Sequence, residues 1–328
     1  MKKINKGIAI IITVSLLVGC IGTITVAAIV PPEDAFMDFD INQYTIYDLI
    51  DMSTEERKNL LDNFIETYNP YGIKDIMESI NMEEMTSDAE PQWSSGRNLT
   101  GTEQTLATHQ LVTIEAFARF IEKYGFHQEV TATEILVIAL YLGAASGLPD
   151  IDEADGLFKA HFYDPDTGLN ILLQNEPTAR TQTGMHYYNA WGYWRENVNM
   201  NATSEEFTTV IECLGRALHY LQDLCEPHHA SNKPAGLTNH KSFEDYVEGN
   251  IVAFIDNVPE VDYMYEVLAL EKTAFEIAHL AAQTAKPQYN YIKNGYNFNT
   301  VGQACINESV YFSEALIYKL FFECLIMQ

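Results

Sequence analysis

Between Ser204 and Glu244 the chain carries HYLQDLCEPHHASN (His219–Asn232) and then HKSFE (His240–Glu244). His219 and Asp223 stand at i and i+4, His240 and Glu244 do so again, and His229 falls between the pairs. On a helix, residues at that spacing leave the same face about 6 Å apart. Imidazole nitrogen beside carboxylate oxygen suits a borderline-soft divalent ion such as zinc. Two such pairs, joined by a third His on a Pro-containing turn, suggest a cluster of metals. The spacing works only if this stretch is helical, so it constrains the fold first.

The region around it agrees. From Trp93 onward the chain reads as long helices without convincing strands, starting near Thr102, Thr131, Ser204, His240, Val261 and Ile306 and separated by Gly, Pro and Asn clusters. Ser204 caps a helix whose Phe207, Val210, Ile211, Leu214, Leu218 and Leu221 form one stripe. At about 100° per residue, His219 and Asp223 fall ~120–160° from the centre of that stripe. Taken alone, the pair reads better as part of a solvated face. With 328 residues, 47% hydrophobic and 12% aromatic, the chain can bury a sizeable core. The expected fold is all-α: a compact multi-helix domain over 93–328 with a metal cluster between helices. A net charge of −27 keeps the chain soluble and repels nucleic acid and anionic membranes unless bound cations reverse the field locally.

The N-terminus has the form of a targeting segment. Lys2, Lys3 and Lys6 precede an uncharged run from Gly7 to Pro32. Residues 1–30 are therefore a signal peptide cleaved near Ala28, a lipoprotein leader with Leu17-Val18-Gly19-Cys20 placing lipid on Cys20, or an anchor able to span ~30 Å. All three outcomes export the protein, to the medium or the cell surface. Residues 31–92 are strongly acidic. Ser53-Thr54-Glu55-Glu56 is a capping box, followed by Leu60, Leu61, Phe64, Ile65 and Tyr68 at helical spacing. Pro70-Tyr71-Gly72 ends that helix, Ile73 to Ile80 starts another, and Met82–Gln92 reads as an acidic linker. The segment fits a pro-region, a spacer or a small capping domain. Export permits disulfides. Cys213 and Cys225 are roughly 18 Å apart on one helix, too far to join, which leaves either free to pair with Cys305 or Cys324, or all four as thiols.

HYLQDLCEPHHAS resembles the signature of the zinc-dependent bacterial phospholipases C, a family that shares its fold with single-strand nucleases. His219, Tyr220, Asp223, Leu224, Pro227, His229 and Ser231 match; Gln222 and Cys225 depart from it, neither at a ligand position. The resemblance covers 93–328 and implies three zinc ions held between helices. One would be held by His229, His240 and Glu244. A second would be held by His161, from AHFYDPDTG (Ala160–Gly168), with His219, Asp223 and Asp150, or Asp152 if the loop register differs. The third would take the amino terminus of Trp93, His109 and a bridging Asp223. That requires a protease to cut between Gln92 and Trp93, making 31–92 a pro-segment. The Pro-x-His spacing selects His229 over His228, and His127, His186, His228 and His279 are assigned to core or surface.

The same resemblance assigns Asp150 as the catalytic carboxylate that orients or deprotonates water, and Phe158 as a substrate contact. Of the three headgroup-cage positions, Gly96, Ile151 and Phe158, only Phe158 is kept, so choline selectivity does not follow. Glu212, one heptad before His219, offers a supporting carboxylate. The implied activity is hydrolysis of a phospholipid at a membrane or micelle surface by an exported monomer with no stable nucleic-acid partner. The alternatives are a single-strand nuclease of the same fold, against which Glu244 argues mildly, and a non-catalytic zinc-binding surface lipoprotein.

Overall fold

The computed structural model describes residues 43–72, 108–125, 131–152, 158–197, 204–261 and 264–326. Helices α1 (Ile46–Asp51) and α2 (Thr54–Tyr68) come first, each started by a reciprocal capping box, Thr45 with Asp48 and Ser53 with Glu56. The box at Ser53 and the buried Leu60, Leu61 and Phe64 stand where the sequence put them. Helix α1 was not anticipated, because six residues are too few to show a period. The leader over 1–30, the helix read at Ile73–Ile80, the Met82–Gln92 linker, Gly96 and Trp93 lie outside the described residues.

The following helices are α3 (Thr108–Tyr124), α4 (Ala132–Ala145), the single turn α5 (Pro149–Asp152), α6 (Ala179–Asn197) and α7 (Ser204–Asp223). Then come α8 (His240–Glu248), α9 (Ile251–Asp256), α10 (Met264–Glu271), α11 (Ala274–Ala285), α12 (Tyr289–Ile292) and α13 (Phe298–Ile326). Among the described residues there is no strand, only an isolated bridge between Asp164 and Leu169. The fold is all-α. Starts at Thr131, Ser204 and His240 agree with the sequence reading. The expected start at Val261 moves to Met264, and Ile306 lies inside α13, which opens at Phe298 after left-handed Gly295 and Asn297. Helices α6 and α11 were missed. In α6 the aromatic and polar residues are spread around the whole circumference, so no single stripe announces it.

Helices α6 and α7 pack antiparallel along their length, Trp194 on Phe207 at one end and His186 on Tyr220 at the other. Helix α13 packs against α3, α6, α7 and α8 through α11. Ala132–Ile151 is apolar and long enough to cross a membrane, but 78% of that window is buried inside the protein, as expected of a core helix. Close approach of α7 to the end of α4 depends on Gly215. A Cβ there would lie 2.4 Å from Ala145 Cβ, so only glycine lets the helices touch. One turn later α7 delivers His219 to the Ser146 carbonyl.

The described part of the acidic segment does not stand apart. Ile46, Leu49, Leu60, Leu61 and Phe64 are buried in the same core as α3 and α4, each worth about 1.5–3 kcal/mol of apolar burial. Arg57 pairs with Glu115 of α3 and donates to the carbonyls of Leu49 and Ile50. Thr54 bonds Asp256, and Tyr71 packs edge-on to Tyr141 at 5.6 Å. No disulfide joins Cys213, Cys225, Cys305 or Cys324.

Candidate metal centre

Four ligand atoms from three parts of the chain converge beneath α7. His161 Nδ1 lies 2.9 Å from Asp223 Oδ2, 3.1 Å from His219 Nε2 and 3.7 Å from Asp150 Oδ1. His219 Nε2 lies 3.4 Å from Asp150 Oδ1 and 3.5 Å from Asp223 Oδ2. Zinc holds N and O ligands at about 2.0–2.1 Å in a tetrahedron, whose edges are then about 3.3 Å. The three edges among His161, His219 and Asp223, 2.9 to 3.5 Å, therefore outline a site of the right size, and Asp150 stands beside it in a second group with His109 and His219. Asp150 Oδ2 and His161 Nε2 are buried and make no hydrogen bond. Buried polar atoms are seldom left so, which marks both as atoms whose partner comes from outside the protein. Asp150 meets both His161 and His219.

Asp223 serves a second neighbour with its other oxygen. Oδ1 lies 3.5 Å from His109 Nε2, while Oδ2 faces His161 and His219. The carboxylate thus sits between two groups of nitrogens, as a bridging ligand must. His109 is held from behind by Gln222, whose Oε1 accepts from Nδ1 at 2.9 Å. The Gln222 amide is fixed in turn by donating to Thr113 Oγ1 and Ser313 Oγ. A bonded Nδ1–H leaves the Nε2 lone pair for a metal. In the sequence Gln222 is a departure that touches no ligand; the structure corrects this, because it bonds His109 directly.

An outer cluster lies a few residues further on. His240 Nε2 is 2.8 Å and His229 Nε2 is 3.3 Å from Glu244 Oε1, all three residues buried. His240 Nε2 makes no hydrogen bond despite its closeness, and Glu244 Oε2 has no partner. His240 Nε2, unbonded, and His229 Nε2, hydrogen-bonded to the same Glu244 oxygen, converge as co-ligands of one ion do. His229 donates through Nδ1 to the His161 carbonyl at 2.9 Å, as His219 does to Ser146 at 2.8 Å. Phe162 stacks on His229 with ring centroids 4.7 Å apart.

The electrostatics follow from this crowding. Burial works against the Asp223 carboxylate, yet the surrounding His219, His229 and His161 hold its pKa well below the usual range. Burial likewise pushes the Glu244 carboxyl up, and His240 and His229 override it to bring it down to about 2. Desolvation disfavours the His229 cation, but Asp223, Glu244 and Glu226 outweigh it and lift that imidazole to about 10. For His219 burial prevails, aided by His109, and its pKa is lowered. Without an ion, then, the site holds protons on some of the nitrogens a metal would take.

The remaining expectations divide. Trp93 lies outside the described residues. Phe158 is buried with φ 48° and its ring meets His161 edge-on at 5.6 Å, beside the inner cluster. Glu212 is one-third exposed and bonds Arg216 on its own helix, so it is not a support of the cluster. His219 and Asp223 are buried rather than solvated: away from its main stripe, α7 faces the Phe158–Phe162 segment and the end of α4. Glu226 has no role in the sequence reading, and His228, assigned there to core or surface, is a core residue; both are fully buried and bonded to each other. The only sequence signal for them was their place inside the ligand-rich stretch.

No family model matches the chain. Among curated proteins, it is 32% identical over 168 residues to the phospholipase C of Paraclostridium bifermentans, a match spanning 48% of this chain and 39% of that protein. It is 33% identical over 98 residues to a phospholipase C of Bacillus cereus, spanning 28% of this chain and 30% of that one. Among solved structures, the alpha-toxin of Clostridium perfringens superposes with a TM-score of 0.55 at 20% identity, covering 67% of this chain and 64% of the toxin. The alpha-toxin of Clostridium absonum does so with 0.54 at 20% identity, over 66% and 63%. The helical fold is shared with the toxins, and the sequence relatives carry one name. In sequence the chain is similar to bacterial phospholipases C, of whose length it spans less than half, and it shares the helical fold of the alpha-toxins.

Proposed function

We propose that the protein is an exported, zinc-dependent phospholipase C that cleaves the glycerol-side phosphodiester of a phospholipid to diacylglycerol and a phosphorylated headgroup. The observation that carries this is the set of three ligand-to-ligand distances among His161, His219 and Asp223, which fit one ion, with Asp150 close beside His161 and His219. His161, His219, Asp223 and Asp150 would hold one ion; His229, His240 and Glu244 a second; His109 and Asp223, with Trp93 after a cut at Gln92, a third. Bound zinc supplies Lewis acidity, polarising a phosphoryl oxygen and acidifying water from about 15.7 towards about 7.

The residues do the rest. Asp150 points Oδ1 at the inner nitrogens and keeps Oδ2 without a hydrogen-bond partner, so Oδ2 is the atom that orients the attacking water and accepts its proton. Asp223 keeps negative charge between the nitrogens of both neighbouring groups. Phe158 and the buried Ile151 supply apolar wall beside the cluster, and Phe158 is the contact for the substrate's apolar or cationic part. The protein would act at a lipid surface as a monomer, at the cell surface or beyond it, with 31–92 as the segment preceding the cut.

The test is a panel of phosphatidylcholine, phosphatidylethanolamine and single-stranded DNA, each incubated with zinc-loaded protein and with a chelator-treated control. Diacylglycerol release that is lost on chelation supports the proposal. Cleavage of DNA alone overturns it in favour of a nuclease, and inactivity on all three overturns it in favour of a zinc-binding surface protein.

A further inference from the structure

His109, His219 and His229 each have Nδ1 bonded to an oxygen that fixes the ring, whether Gln222 Oε1, Ser146 O or His161 O. His240 does not. Its Nδ1 is buried with no hydrogen-bond partner, so something else must set the plane of this imidazole. That something is His228, whose ring lies flat against it, with centroids 4.6 Å apart and planes 9° from parallel.

His228 is itself fixed on every side. Nδ1 lies 2.6 Å from Glu226 Oε1, and Nε2 lies 3.2 Å from Asn239 Oδ1. The Asn239 amide cannot be turned round, because its Nδ2 donates to the Ile292 carbonyl at 2.6 Å. Both nitrogens of His228 therefore face acceptors and are committed to the protein. Glu226, His228 and His240 bring ligand atoms within 4.8 Å of one another, yet His228 has no lone pair to give an ion. Tyr289 closes the outer side of the ring, edge-on at 5.2 Å. Glu226 uses its second oxygen, Oε2, to accept from the His229 backbone N–H at 2.8 Å. The same oxygen stops 3.6 Å from His240 Nε2, which stays aimed at Glu244.

We propose that Glu226 and His228 are the positioning pair of the outer metal site: His228 orients His240 by stacking, and Glu226 holds His228 and the His229 backbone at once. Asn239, next to His240 in the chain, locks the pair and ties it to the Ile292 turn. This rests on the reading of His229, His240 and Glu244 as metal ligands. Outer-layer partners of metal ligands typically govern affinity by about 10- to 100-fold, and that is the effect assigned here to one ion of the cluster.

The experiment is zinc stoichiometry with a chelator competition on the full chain, with H240A marking the loss of the outer ion. Removing His228 alone would strand a buried carboxylate and threaten folding. The informative variants are E226Q, which keeps the shape, and the double substitution E226M with H228F, since an apolar pair of similar volume often replaces a buried ion pair without loss of stability. Both should bind the outer zinc about 10- to 100-fold more weakly and keep the other ions, while the chelated forms melt as the chelated wild type does. Wild-type affinity at every site in E226Q overturns the proposal whether or not the double variant folds. Weakening of all ions together does so too, by showing a general structural role. Wild-type protein that binds no zinc overturns the metal reading itself, a result distinct from either.

Discussion

The inner cluster takes its atoms from α5, from the Lys159–His161 turn and from α7, whereas the outer cluster lies wholly within His229–Glu244. Their supports differ in the same way. His219 leans on Ser146, which α7 reaches only because Gly215 lets it touch the end of α4. His240 leans on His228, twelve positions earlier in the same stretch. The inner site is thus a product of helix packing and the outer site of a local turn. Damage to the packing should empty one and spare the other. His229 links them, giving Nδ1 to the His161 carbonyl and Nε2 to Glu244.

The strongest way to break this contrast is Asp223→Ala. Its two oxygens face separate groups of nitrogens, so inner zinc and the ion beside His109 should both be lost. Activity should fall by roughly 10³-fold or more, the upper end of what a single electrostatic group commands. Elemental analysis should still find the outer ion. A protein that lost all zinc would show the two clusters to be one unit.

A smaller effect is expected from Gln222→Leu, which removes the acceptor behind His109 and leaves the Thr113 and Ser313 hydroxyls without their donor. Zinc at the His109 position should weaken about 10- to 100-fold, read by chelator competition, with the outer ion unaffected. Equal weakening of both clusters would count against a local role.

The smallest effect concerns protons. In the metal-free protein His229 is lifted to about 10, so at neutral pH it carries a proton that zinc must displace. Because the pKa is raised, apparent affinity at the outer site should climb with pH from neutrality until about 10. Calorimetry in two buffers of different ionisation enthalpy should show net proton release on binding. Zinc uptake without proton release would mean that His229 is not a ligand.

Legibility followed the same division. His229, His240 and Glu244 could be read from spacing, since a turn and one helix start decide where they point. The i, i+4 geometry of His219 and Asp223 was visible too, but not their burial, which depends on α4 and the Phe158–Phe162 segment packing over that face. Asp150, His161 and His109 entered only through resemblance, because no local pattern connects residues so far apart. The roles of Gln222, Glu226 and His228 are not legible because they are set by what these residues touch: Gln222 reaches across to α3 and α13, and His228 is pinned by Asn239. Helix α6 escaped for the opposite reason, having aromatic residues on every face.

The docking of α1 and α2 changes what processing before Trp93 would accomplish. Six buried apolar side chains and the Arg57 contact to Glu115 hold these helices whether or not the chain is continuous beyond Gly72. Cutting there would be a nick rather than an excision. The mature particle would be two polypeptides sharing one core, and the new amino terminus would be freed without the earlier segment having to leave.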